Sequence, residues 1–196
     1  MAESEVQICN MALGRVQGSP ITDLETDDSK SATLCRTFYE SARDATLRDH
    51  PWSFATTRQL LAISSSPALA PTLYTYTLPE DPYCLRPLCL LNSLDLYREA
   101  RGYPFTVEGR VLLTDMYAAG LKYIARITDP GEFDALFTDA LAWRLAAELL
   151  KPIEGSSPVD PWLMYKDVLT SAVAADEHGK QEQDVPPETW VQSRFP

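Results

Sequence analysis

The residues of this 196-residue chain best suited to nucleophilic or metal chemistry are two histidines, His50 and His178, and four cysteines, Cys9, Cys35, Cys84 and Cys89. A Ser-His-Asp or Cys-His site needs a histidine held as a base beside its nucleophile. His50 precedes Pro51, which ends a helical pattern, and His178 precedes Gly179 at the end of another. Both read as surface or capping histidines that suit a helix C-terminus. Cys84 and Cys89 are too widely spaced for a CxxC zinc knuckle, and no other ligands cluster near them. All four thiols read as buried side chains of a reducing compartment. The isolated glycines form no GxGxxG or Walker pattern and predict no phosphate cradle. Glu80 and Asp81 could be imagined as acid and base of a glycosidase. That chemistry places two carboxylates across a cleft with one desolvated, whereas LPEDPY reads as a turn. The expectation is a protein with no catalytic residue, no metal and no cofactor.

The chain carries 28 acidic and 17 basic residues, a formal net charge of −11. That excess argues against a protein that grips nucleic-acid phosphates, which needs a basic patch. It leaves room for DNA as a passing neighbour that slides without sticking. No run is long and apolar enough to span a bilayer. The opening MAESEVQIC lacks the basic start and apolar centre of a signal peptide, which predicts cytoplasmic synthesis.

The elements that would position these residues fall in three blocks. Residues 5–15 place Val6, Ile8, Cys9, Ala12 and Leu13 on one helical face. A second helix follows the acidic residues Glu25, Asp27 and Asp28, with Leu34, Phe38, Ala42 and Ala45 as its apolar stripe and Cys35 beside it. Pro51 stops that helix, and Trp52 and Phe54 alternate with small residues as an extended segment would. Residues 58–63, 74–78, 84–91, 94–98, 105–113 and 121–127 read as short strands. Glu108-Gly109 reads as the turn of a hairpin with arms Phe105–Val107 and Arg110–Leu113. Asp129, Pro130 and Glu132 form a capping box for a third helix with apolar residues on most sides, from Phe133 to Leu149. Pro152 stops it. A fourth helix begins at Ser157-Pro158 or Asp160-Pro161 and ends at Gly179. The segment 180–196 has no period, yet Trp190, Val191, Arg194 and Phe195 are residue types favoured as interface anchors. This order predicts an α+β chain: mainly a four-helix bundle (1–51 and 128–179), an inserted β-rich region (52–127) and an extended C-terminal docking tail (180–196).

The stretch ICNMALGRVQGSPITDLETDDSKSATLCRTFYESARDATLRDHPWSFA resembles the N-terminal region of bacteriophage tail tubular protein A and related head-to-tail adaptors. The shared features are a first helix ending ALGR, a Pro-Ile turn, a Leu-Glu and acid run, and a long helix ending before Pro-Trp-Ser-Phe. VEGRVLLTD, YIARITDPGEFDALFTDALAWRLAAELLKPI and the Trp-containing tail are similar to the same family. The resemblance implies a non-enzymatic virion protein, made in the bacterial host cytoplasm. It implies a homo-oligomeric ring, commonly of twelve copies, between the portal protein and the tail nozzle protein. DNA would pass through as non-specific cargo, with no membrane contact. Portal docking would fall to Trp190, Val191, Arg194 and Phe195, and tail-side contact to Val107, Glu108, Gly109 and Arg110. The readings set against it are a virion-associated cell-wall hydrolase working through paired carboxylates and a bacterial protein-interaction module.

Overall fold

The computed structural model describes residues 4–64, 72–100 and 103–183. Helix α1 spans Glu5–Arg15, with the Ser4 hydroxyl accepting from the Gln7 amide at its start. Helix α2 spans Lys30–Asp49 and is capped in the same way by Ser29 on Ala32. The acidic residues predicted near its first turn lie before it, in a loop braced by their own carboxylates. Asp23 accepts from the amides of Glu25 and Thr26, and Asp27 from that of Ser29. The buried face of α2 is Ala32, Cys35, Tyr39, Ala42 and Thr46; Leu34 and Phe38 pack at its margin.

Eight strands follow: β1 Thr56–Leu60, β2 Ala62–Ile63, β3 Tyr74–Thr77, β4 Cys84–Asn92, β5 Asp95–Glu99, β6 Phe105–Glu108, β7 Val111–Thr114 and β8 Gly120–Ala125. They form two antiparallel sheets of four strands, in the orders β1-β8-β4-β5 and β2-β3-β7-β6. A strand points successive side chains to opposite faces. On β8, Leu121, Tyr123 and Ala125 enter a core shared with Tyr76 and Leu112 of the second sheet and with Leu78 just after β3. Ile124 enters the core of the helices instead, with Leu85 of β4 and Ala55. Pro87, which cannot donate to the ladder, falls where β4 shifts register against β8.

Helix α3, Ala135–Ile153, packs against each of the other three helices and carries buried Phe137, Leu141, Leu145 and Leu149. Its start corrects the predicted capping box. Asp129 caps a short 3-10 turn, Pro130–Glu132, and Asp134 caps the helix through the amides of Leu136 and Phe137. Pro152 lies inside the last turn, and Glu154 closes the helix in the left-handed region. Helix α4 spans Pro161–Gln183, so it opens at Asp160-Pro161 and continues through Gly179 instead of ending there.

The fold is a mixed α+β arrangement of three layers, and the expected four-helix bundle with an inserted β-rich region is corrected. Two physical reasons account for the difference. Helices α1 and α2 each pack more extensively on α3 than on each other. The first sheet gives one face to the helices, so Trp52, Ala55, Leu85 and Ile124 belong to the helical core. Pro51 separates helix from strand along the chain but not in the packing. The predicted tail is corrected as far as Gln183, which is helical; the rest of it, with Trp190, Val191, Arg194 and Phe195, lies outside the described residues.

Leu141 is fully buried at the middle of α3. Leu141→Ala is expected to cost about 2–5 kcal/mol of unfolding free energy through lost burial and a residual cavity, read from urea denaturation at constant slope.

Candidate functional site

The β6–β7 hairpin pairs Phe105 with Thr114 and Glu108 with Val111, which leaves Gly109-Arg110 as its two-residue turn. The turn is therefore one residue later than the sequence pattern indicated. Gly109 has φ +62, the left-handed conformation that the first turn position of a tight hairpin requires of glycine. The ladder registers on the Leu112 and Leu113 side chains, both buried, and so fixes the turn from outside it.

Arg110 turns back from that hairpin onto the start of β4. Its Nη1 donates to the Cys84 carbonyl at 2.8 Å, and its Nη2 to the Pro79 carbonyl at 2.6 Å. The same guanidinium lies 4.0 Å from the centroid of the Tyr83 ring. Arg126, just after β8, lies 4.4 Å from that centroid and pairs with Asp44 of α2 at 2.6 Å. Asp44 also accepts from Nε of Arg43, so one carboxylate is shared by two guanidiniums. Arg48, near the end of α2, donates to the Leu85 carbonyl at 2.6 Å. Arg48, Arg110 and Arg126 thus converge on a cleft of about 570 Å³, walled by Leu78, Leu85, Pro87 and Val107. Cations over an aromatic face gain from its quadrupole, and the paired carbonyls hold Arg110 in place. The result is a locally basic, partly apolar cleft on an acidic chain.

Of the residues predicted for tail-side contact, Val107, Gly109 and Arg110 line this cleft, and Glu108 is exposed beside them on β6. Val107 is 37% exposed, whereas the Arg110 guanidinium is already held by backbone carbonyls. Arg48, Tyr83 and Arg126 were not legible as site residues. They come from α2, the turn before β4 and the end of β8, and no local spacing connects them.

Burial pushes the Cys84 thiol up to about 11 against the opposing pull of Arg110 and Arg48, so it is no thiolate at neutral pH. Cys9, Cys35 and Cys84 are buried, but Cys89 is half-buried, which corrects the expectation for it; none of the four forms a disulfide. Glu80 and Asp81 are both exposed beside the Asp81-Pro82 turn, and neither is desolvated. Among the described residues no three His, Cys, Asp or Glu side chains come together as metal ligands, and no helix is long and apolar enough to cross a membrane.

For His50 the capping position expected is found and the surface position is corrected. It is buried at the C-cap of α2, and its Nε2 lies 2.9 Å from Asp176 of α4. Asp176 accepts from the Ser53 amide and from Lys180, whose ammonium also reaches the Pro51 carbonyl. Burial alone would raise the Asp176 carboxyl, but the hydrogen bonds from Lys180, Ser53 and His50 outweigh it and hold it at about 2.

No family model matches this chain, and no curated protein matches it either.

Gly109→Ala is expected to destabilise the protein by about 1–2 kcal/mol, the cost of forcing a Cβ into the left-handed region, with faster amide exchange confined to residues 105–114. Asp176 titrates lower in the folded chain than its ordinary 3.8, so it stabilises the fold above that value and the gain is lost as pH falls towards about 2. Melting temperature should fall across that window in the wild type, and Asp176→Asn should flatten the fall while lowering the melt at neutral pH.

Proposed function

We propose that this chain is a head-to-tail adaptor of a short-tailed bacteriophage, a non-enzymatic ring protein between the portal and the tail nozzle. The observation that carries the reading is the ordered likeness of its sequence to that family, from ICNMALGR through DHPWSFA to the DPGEF helix. The net charge of −11 supports it, because such a surface lets DNA pass without trapping it. The exposed hairpin residues Val107, Glu108 and Gly109 supply an accessible edge that suits contact with a neighbouring tail component. In this reading Trp190, Val191, Arg194 and Phe195 anchor the chain on the portal, where buried aromatic anchors are typically worth upwards of about 2 kcal/mol each.

The test is native mass spectrometry with purified portal, using the full chain and a chain lacking residues 185–196. The full chain is expected to bind and the truncated one to bind far more weakly, with their thermal melts almost equal. Equal binding by both would remove the docking role from those residues. Failure of the full chain to bind any short-tailed-phage portal would overturn the adaptor reading.

A further inference from the structure

We infer that the arginine cleft is one half of a contact between two copies of this chain, and that its occupant is the acidic loop at residues 23–28 of the neighbouring copy. The cleft gathers Arg48, Arg110 and Arg126, with Arg43 behind them, against the single carboxylate of Asp44. Arg48 is exposed and the Arg126 side chain is 37% exposed, so both can still meet an incoming group. Guanidinium groups bind carboxylates in parallel, charge-assisted pairs. The walls formed by Leu78, Leu85, Pro87 and Val107 suit a folded peptide segment carrying apolar atoms beside its charges.

The same chain presents the complementary chemistry. Asp23, Glu25, Asp27 and Asp28 stand together before α2, with Lys30 and Arg36 as the basic residues near them. Asp23 and Asp27 brace the loop through backbone amides, which keeps its shape fixed. The Glu25 and Asp28 side chains are exposed, and no ion pair among the described residues holds them. The loop folds back beside the first half of α2, where Arg36 donates to the Leu24 and Glu25 carbonyls, whereas Arg48 of the cleft lies 12 residues further along that helix, about 18 Å away at 1.5 Å per residue. One chain cannot bring them together, whereas two chains can. Such a contact joins unlike faces, and head-to-tail repetition of it builds a ring or a filament. A nucleic acid is the weaker candidate for the cleft, because the net charge of −11 repels a long polyanion. The contact rests on the adaptor reading only for closure into a ring; its charge and geometry stand without it.

The experiment is sedimentation velocity of the full chain over a concentration series, at low and at physiological salt, with circular dichroism melts to show that each variant folds. The wild type is expected to associate, more strongly at low salt because exposed ion pairs are screened. Arg48→Glu should weaken association tenfold or more, and so should Glu25→Lys with Asp28→Lys. Combining the three reversals in one chain should restore it. A wild type that stays monomeric throughout overturns the inference, as does association indifferent to either set, or sensitive to Arg48→Glu alone. Lack of rescue by the combined variant also overturns it. Retention of a DNA duplex by the wild type that Arg48→Glu abolishes would assign the cleft to nucleic acid instead. A chain that self-associates through these residues yet ignores the portal leaves the contact standing and the adaptor reading fallen.

Discussion

Strand β8 is held on every side, and the other layers take their places from it. Its edges pair with β1 and β4, so its backbone groups are satisfied by two neighbours. Its faces divide between two cores: Leu121, Tyr123 and Ala125 on the second sheet, Ile124 on the helices. A strand with period-two side chains can serve two cores when each face carries an apolar residue, and Ile124 does so on a face it shares with Gly120 and the half-buried Lys122. Gly120 at its start leaves room for Leu91 and Leu96, where a Cβ would strike both. The helices and the second sheet are thus aligned to each other through one shared layer.

The passage from helix to sheet at residues 47–55 follows from the same constraint. Trp52 is buried against Phe137, and its indole N–H donates to the Thr46 carbonyl. That bond satisfies a carbonyl that the end of α2 leaves open. Asp176 of α4 receives the Ser53 amide and faces His50, so the last helix closes over the hinge. Burying that carboxylate is tolerable because several donors meet it.

Several elements were legible in the sequence because their signals are local. Helix α1 follows the apolar face of Ile8, Cys9, Ala12 and Leu13, and α4 opens at Asp160-Pro161, one of the two starts that the sequence offered. The start of α3 was misread because Asp129 and Asp134 are equally good caps by composition. The choice falls to Phe133, whose ring packs on Phe54 and Phe137 and breaks the chain into turn and helix. The hairpin was visible but its turn was displaced by one residue, since register is set by the partner strand and not by the Glu108-Gly109 pair. The three-layer arrangement was not visible, because a short strand serving two cores reads much like one serving a single core. The arginine cleft was out of reach for a related reason: Arg48, Arg110 and Arg126 carry no local mark of convergence. His50 could be placed at the helix end from its proline, but its burial against Trp52 and against Asp176, 126 positions away, could not be read locally.

Arg110 acts mechanically as a strut. In the sheet ladder the hairpin pairs with β3, and Leu112 anchors its base in the shared core, which leaves the tip to be held by other contacts. The Arg110 guanidinium ties the tip to the Pro79 and Cys84 carbonyls, on either side of the turn that leads into β4. A load applied at Gly109 therefore has a second route into the molecule, through β4 into the β8 ladder and from there into the helical layer. Hydrogen bonds of that ladder run across the strands and share such a load among many small contacts. A push on the finger is spread through the middle layer before it can bend the turn.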